Sequence, residues 1–263
     1  PSSRIIISLK GAVQKLVTAP RTFHLFIPTQ RMTKFSLKSL HSSFFALLAL
    51  LFTAVPALTS CEDNAGKEDN SEFTNQWKER NAQYFAERMS EAKAAISEAK
   101  TTYGNNWKEH CDWRTERSWA KVEAPVVGLT DSICYRIVNR PTGSEARPLY
   151  SDSVRVNYIG RLIPTASYSE GRVFDHSGLY DDPSSVFSPD FCIPSKFAVS
   201  NLVEGYTTLL HYLRVGERVR VYLPQELAYG SVSNSVMPAY STLVFDVELK
   251  GIWRAGQAVG SWE

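Results

Sequence analysis

The chain has 263 residues, of which 43% are hydrophobic and 21% charged, with 14 glycines and 13 prolines. This composition excludes a collagen-like repeat, a disulfide-dense small protein and a wholly disordered chain. The formal net charge of +2 averages two unlike parts, because residues 1–60 hold seven Lys or Arg and no Asp or Glu. Without them 22 basic and 27 acidic residues remain, a net charge of −5, so the overall charge gives no indication of nucleic-acid binding.

Residues 32–60 have the pattern of an export signal. Two lysines follow Met32, and an apolar run over residues 44–58 comes next. At about 1.5 Å per residue the run is roughly 22 Å long, short of the roughly 30 Å hydrocarbon core of a bilayer, which favours a cleaved signal peptide over a spanning helix. We expect residues 1–31, which contain no Met and precede this complete signal, to be translated upstream sequence without a function.

The segment Leu58-Thr59-Ser60-Cys61, at the end of the apolar run, resembles the lipobox of bacterial lipoproteins, in which the cysteine is acylated. The resemblance implies lipidation of Cys61 and a lipid-anchored protein of the cell envelope, at the outer membrane, on its periplasmic face or on the cell surface. An ordinary cysteine after a plain signal peptide is the alternative. Residues 61–70 are acidic and carry no apolar anchor, which indicates a flexible tether. The acidic run also resembles surface-export signals.

Residues 71–127 are predicted to form a helical arm and a linker. From residue 71 to about 100 apolar side chains recur at three- and four-residue steps without Gly or Pro. These side chains are Phe73, Trp77, Tyr84, Phe85, Met89, Ala92, Ile96 and Ala99. Asp69 and Glu72 are spaced as a capping box, and Gly104 is expected to end the helix. Because such a stripe must pack on apolar surface, it docks either on its own domain or on a second copy in a homodimer.

Three cysteines follow Cys61, namely Cys111, Cys134 and Cys192, and no two of them have CxxC spacing. Together with three histidines they form no pattern typical of a metal site, so no metal or cofactor is expected. Cys134 lies in an apolar run, so a small buried thiol is the default interpretation. An oxidising compartment also permits a disulfide, and a Cys111–Cys134 bridge is the alternative.

From about residue 128 apolar and polar residues alternate. Residues 154–158, 219–223 and 243–249 follow this pattern, which predicts strands of an antiparallel sheet with one buried face. Residues 201–213 between them have helical spacing and end before Gly216. The predicted fold over residues 128–254 is α+β, a twisted antiparallel sheet wrapped on one short α-helix, with residues 255–263 as a tail.

Short segments follow one another in a specific order in this domain. They are VNYIG at 156–160, VFDHS at 173–177, KFAV at 196–199, LVEGY at 202–206, VGER at 215–218, LAYG at 227–230 and TLVFDVEL at 242–249. Each is weak alone, but in this order they resemble the FKBP-type peptidyl-prolyl cis-trans isomerase domain. The resemblance covers roughly residues 130–252, about half of the chain.

The resemblance implies a substrate pocket lined by Tyr158, Phe174, Asp175, Phe197, Leu202, Val203, Tyr206, Tyr229, Met237 and Phe245. The family usually has Trp at the position of Tyr206, so we expect a smaller pocket floor, a hydroxyl that needs a partner, and weaker binding of macrolide inhibitors. Core packing alone is the alternative for Phe197 and Phe245. Residues 178–195 are longer than in compact family members and form either a substrate-contacting flap or a surface loop.

An aromatic pocket without a nucleophile suits the isomerisation of X-Pro bonds. The barrier of about 18–20 kcal/mol comes from C–N double-bond character, and an apolar site favours the twisted, less polar transition state. The resemblance implies that Phe174, Phe197, Tyr206 and Phe245 hold the proline ring, that the Val203 N–H binds a substrate carbonyl, and that Asp175 and Tyr229 orient the peptide.

The predicted function is therefore an envelope-anchored prolyl isomerase that acts on proline-containing polypeptide clients during the folding of exported proteins. The first alternative is a catalytically weak chaperone or peptide-binding lipoprotein with the same fold. The second is a structural or ligand-capture lipoprotein of the cell surface.

Overall fold

The computed structural model describes residues 70–258, except 126, 142, 144 and 179–185. Residues 1–31, the predicted signal peptide, Cys61, all of the predicted tether but Asn70, and residues 259–263 of the predicted tail lie outside the described residues. Among the residues that are described, no helix has the length and hydropathy needed to cross a bilayer.

The arm is a 27-residue helix, α1 (Trp77–Tyr103), which starts later than the sequence predicts. Gln76 adopts a left-handed conformation with φ 48° and separates α1 from a 3-10 turn at Asn70–Phe73. Asp69 of the predicted capping box lies outside the described residues, and the Glu72 carboxylate accepts hydrogen bonds from the backbone N–H and hydroxyl of Ser167. The predicted end is confirmed, since Gly104 has φ 54° and donates its N–H to the carbonyl of Lys100.

Seven strands in the described part form one antiparallel sheet in the order β1-β2-β6-β7-β3-β4, with β5 also paired to β3. The strands are β1 (Trp113–Arg117), β2 (Ser132–Asn139), β3 (Ser153–Arg161), β4 (Val173–His176), β5 (Ser195–Ala198), β6 (Arg218–Leu223) and β7 (Leu243–Trp253). Strand β1 lies in the segment that the sequence predicts as linker. It follows a one-turn helix, α2 (Trp107–His110), and pairs with β2 so that Thr115 faces Cys134.

One face of the sheet packs on α3 (Glu204–Leu210). Alternate residues of the central strands point to this helix because successive side chains of a strand lie on opposite faces. They are Ile133, Tyr135 and Ile137 of β2, Val219, Val221 and Leu223 of β6, and Leu243, Phe245, Val247 and Leu249 of β7. Helix α3 is shorter than predicted because Val203 is extended and residues Val199–Asn201 form a 3-10 turn. The predicted α+β fold is confirmed.

The other face of the sheet is covered by α1, although the sequence predicts that only one face is buried. Cys134, Tyr222 and Val244 alternate with the residues just named and pack in a second cluster with Phe85 and Met89. The apolar stripe of α1 therefore docks on its own domain. The apolar surface that a homodimer through this stripe would need is already buried within the same chain.

Cys111 and Cys134 are both free and buried, so the disulfide alternative is wrong and the buried thiol expected for Cys134 is confirmed. Thr115 pairs with Cys134, and Cys111 lies four residues before Thr115. At about 3.3 Å per residue this offset displaces Cys111 along the strand by roughly 13 Å, which is farther than a disulfide spans. Burial raises the pKa of the Cys134 thiol to about 12.

Candidate active site

The predicted pocket residues gather around the ring of Phe245, on β7. The ring of Tyr206, in the first turn of α3, meets it edge-on with centroids 5.2 Å apart. The ring of Phe174, on β4, does the same at 5.4 Å, and Tyr158 of β3 lies at 6.4 Å. Edge-to-face contacts at these distances are a favourable arrangement of aromatic rings. Three strands and the start of α3 thus place four rings around one apolar region.

Asp175 carries the buried carboxyl group of this region. Its side chain is 4% exposed, and its Oδ2 accepts a hydrogen bond from the Tyr158 hydroxyl at 3.0 Å. Burial raises the pKa of Asp175 from 3.8 to about 6, because the charged form loses water. The hydrogen bonds from Tyr158 and from the His176 backbone act in the opposite direction. The carboxyl group therefore titrates close to neutral pH.

Two more tyrosine hydroxyls lie near this carboxyl. Burial raises the pKa of Tyr206 and of Tyr229, and the negative charge of Asp175 raises both further. The Tyr206 hydroxyl is buried and has no hydrogen-bond partner among the described residues. The expectation that this hydroxyl needs a partner is thus unmet within the described part of the chain.

The remaining predicted residues complete the same region. Leu202, Val203 and Met237 belong to the buried cluster, and Phe197 and Tyr229 pack against it while partly exposed. The Phe197 ring lies edge-on to Tyr158 at 5.8 Å. Nine of the ten predicted residues thus belong to, or pack against, one buried cluster, and Asp175 is joined to it by its hydrogen bond with Tyr158. Among the described residues, the backbone N–H of Val203 has no backbone hydrogen-bond acceptor.

Gly160, on β3, is a pocket residue that the sequence does not single out. A Cβ atom at this position would lie 2.6 Å from the Phe245 ring and 2.7 Å from the Phe174 ring. Glycine therefore lets two pocket rings contact the strand backbone. A glycine inside a strand often marks such a close approach, and this signal was available from the sequence.

The side chains at this site are suited to the non-covalent binding of an apolar group. No group of three or more His, Cys, Asp or Glu side chains that could hold a metal ion occurs in the described residues. The polar groups at the rings are one carboxyl and three tyrosine hydroxyls, which can hydrogen-bond a peptide. This chemistry suits a ligand that is apolar at its centre and polar at its edges.

A comparison with protein families decides the identity of this domain. Residues 145–250 match the family described as FKBP-type peptidyl-prolyl cis-trans isomerase. These residues form an FKBP-type domain. The resemblance predicted from the ordered segments is confirmed, and all ten predicted site residues lie within the matched range.

Curated relatives of the FKBP-type domain occur in bacteria. The FKBP-type 22 kDa peptidyl-prolyl cis-trans isomerase of Escherichia coli is 35% identical over 125 residues, which are 47% of this chain and 52% of the relative. FkpA of Escherichia coli, also described as an FKBP-type peptidyl-prolyl cis-trans isomerase, is 31% identical over 197 residues, 72% of this chain and 62% of the relative. The outer membrane protein MIP of Legionella longbeachae is 31% identical over 137 residues, 51% of this chain and 50% of the relative. The chain thus spans between half and two thirds of these relatives.

Proposed function

We propose that the protein is a peptidyl-prolyl cis-trans isomerase. The observation that carries the proposal is the set of rings around Phe245, which lies inside a domain of the FKBP-type family. A proline side chain is apolar and flat enough to lie among aromatic rings. The isomerase relatives of the FKBP-type domain support the same activity.

Catalysis in this proposal rests on stabilising a twisted amide. Rotation about the C–N bond removes its resonance, so the carbonyl becomes less polar and the apolar rings favour this state over the planar amide. The rings of Phe174, Phe197, Tyr206 and Phe245 hold the proline. The Val203 N–H, without a backbone acceptor in the described part, donates to a substrate carbonyl.

The polar groups orient the peptide that carries this proline. Asp175 and Tyr229 hydrogen-bond the substrate backbone beside the ring. The Asp175 carboxyl accepts a hydrogen bond from the Tyr158 hydroxyl, which holds the Asp175 side chain in one rotamer. No proton transfer or covalent intermediate is needed, because only a rotation occurs.

We further propose that the isomerase is exported and anchored to the cell envelope. In this proposal the 32–60 signal peptide is removed, Cys61 is lipidated, and residues 61–70 hold the domain away from the outer membrane. Proline-containing exported polypeptides are the clients. The name of the relative MIP, an outer membrane protein, supports an envelope location. Expression in bacteria with labelled palmitate tests it, since the label is expected on the protein and lost in Cys61→Ser.

A protease-coupled assay with an X-Pro peptide tests the activity. We expect the purified protein to accelerate isomerisation and Phe197→Ala, at the half-buried edge of the pocket, to lower kcat/KM about tenfold. The matched control is Val138→Ala, which shortens a 53% exposed side chain of β2 that is not among the pocket residues. Equal loss in both variants would count against the pocket.

A second candidate function is binding of unfolded chains without efficient catalysis. Val186, Phe191 and Ile193 are 79%, 65% and 55% exposed. They lie in the segment between β4 and β5, the strands that carry Phe174 and Phe197. Suppression of client aggregation by the protein, with no catalysed isomerisation, would favour this candidate over the enzyme.

A further inference from the structure

Three of the proposed pocket residues belong to one continuous segment. Tyr229, Met237 and Phe245 lie in residues 229–245, here called the rim segment. Most of this segment has no regular structure and depends on isolated hydrogen bonds. Tyr240 has φ 62°, a conformation that residues other than glycine rarely adopt. Its N–H donates to the Gly230 carbonyl at 2.7 Å, which closes the segment into a loop.

The first turns of α1 bind the end of this loop. The side-chain carbonyl of Asn81 accepts a hydrogen bond from the backbone N–H of Thr242 at 2.7 Å. The Thr242 hydroxyl donates to the backbone carbonyl of Asn81 at 3.0 Å, and the Asn81 amide donates to the Trp77 carbonyl at 2.6 Å. Asn81 is only 1% exposed. Removal of the Asn81 side chain would leave the Thr242 N–H without this acceptor. Because the site is buried, that loss is costly.

Neighbouring residues of α1 hold the adjacent positions of the rim segment. The indole N–H of Trp77 donates to the Ser241 hydroxyl at 3.0 Å, and that hydroxyl donates to the Pro238 carbonyl at 2.7 Å. The ammonium of Lys78 lies 4.6 Å from the centre of the Tyr240 ring. Three successive rim residues are thus held by a helix that is 161 positions away along the chain.

We propose that Asn81 is a positioning residue for the pocket. It acts through Thr242, which lies five residues after Met237 and directly before β7, and so sets where the loop that carries Tyr229 and Met237 meets the strand that carries Phe245. The arm is then a working part of the isomerase domain, although its residues do not line the pocket. This inference rests on the proposed isomerase function. A displacement of about 1 Å in a catalytic group can reduce the rate by as much as 100-fold, so a change in the position of the pocket residues is expected to show in the activity.

Activity and amide hydrogen exchange of the purified full chain test the proposal. Asn81→Ala is expected to lower kcat/KM about tenfold and to speed exchange at Thr242 and across the rim segment. Thr242→Val, which loses the hydroxyl donor, is expected to share both effects in weaker form, whereas Thr242→Ser keeps the donor and is expected to behave as wild type. The matched control is Met89→Ala, since Met89 lies buried on the same helix in the cluster behind the sheet.

The controls separate positioning from general destabilisation. Met89→Ala is expected to unfold more readily but to keep wild-type kcat/KM and wild-type exchange in the rim segment. Wild-type kcat/KM in folded Asn81→Ala overturns the proposal, and so does an equal loss of activity in Met89→Ala. If Asn81→Ala does not fold, the comparison of Thr242→Val with Thr242→Ser decides. Equal activity of these two variants overturns the proposal. An inactive wild-type protein contradicts the isomerase function, whereas unchanged exchange in Asn81→Ala contradicts the positioning role itself.

Discussion

The substitution Asp175→Asn is expected to stabilise the protein near neutral pH while weakening the pocket. Burial raises the pKa of Asp175 from 3.8 to about 6, so the folded protein prefers the neutral carboxyl. A wild-type chain at neutral pH must keep the charged form in that buried site. The amide has similar shape, stays neutral at every pH, and still accepts the hydroxyl hydrogen bond of Tyr158.

The magnitude follows from linkage between proton binding and folding. Each pKa unit corresponds to about 1.4 kcal/mol, so a shift of about two units amounts to roughly 3 kcal/mol. The sign is set by the raised pKa of Asp175. This stabilisation of the wild type is fully present below pH 3.8, is lost as the pH rises through about 6, and stays absent above. Asp175→Asn does not titrate and so lacks this pH dependence.

Urea unfolding of the two proteins at several pH values measures the effect. The free energy of unfolding of Asp175→Asn minus that of the wild type is expected to rise by roughly 3 kcal/mol between about pH 3 and pH 7. Other titrating groups largely cancel in this difference. A difference that is the same at both ends of the range would refute the buried, titrating carboxyl. Isomerase activity of the variant is expected to fall, because its side chain no longer presents a carboxylate to the peptide.

The substitution Tyr206→Phe removes a buried hydroxyl without a described partner and is expected to raise the free energy of unfolding by about 1 kcal/mol, measured by urea unfolding. Gly160→Ala is expected to lower that free energy by about 1–3 kcal/mol and to reduce kcat/KM, because its Cβ would press against two pocket rings. Alkylation of the native protein, followed by mass spectrometry, is expected to modify the half-buried Cys192 before the buried Cys134.

Each of these three predictions has an outcome that contradicts it. A less stable Tyr206→Phe would mean that the hydroxyl has a partner outside the described residues. Wild-type activity in Gly160→Ala would show that the rings do not need to contact the strand. Equal labelling of Cys134 and Cys192 would contradict the burial of Cys134, and a Cys111–Cys134 disulfide in unreduced protein would contradict the separation of these two cysteines.

The strands and the central helix of the domain were predictable because a pleated strand has a period of two residues and a helix about 3.6. Strand β1 was not, since its sequence Trp-Arg-Thr-Glu-Arg has no apolar alternation and forms only by pairing with β2. The stripe of α1 indicates that this face is buried but not what buries it. That partner is the back of the sheet, where Cys134 and Tyr222 leave apolar surface.

The predicted site residues come from the order of short segments, and the structure places three of their rings, those of Tyr158, Phe174 and Tyr206, around Phe245. The contribution of the arm was not predictable, since Asn81 meets Thr242 only after the chain has folded. The sequence of a helix does not indicate which distant residue will hydrogen-bond a polar side chain in its apolar stripe. Likewise, the left-handed conformation of Gln76, which precedes α1, is one that its side chain does not specify.

The rate at which the purified protein isomerises an X-Pro peptide tests the central claim most directly. Uncatalysed isomerisation takes tens to hundreds of seconds. A pocket that binds the twisted amide better than the planar one must shorten this time. We predict a catalysed rate proportional to protein concentration and reduced in Phe197→Ala. A folded protein that leaves the rate at its uncatalysed value would contradict the claim that these rings form an isomerase site.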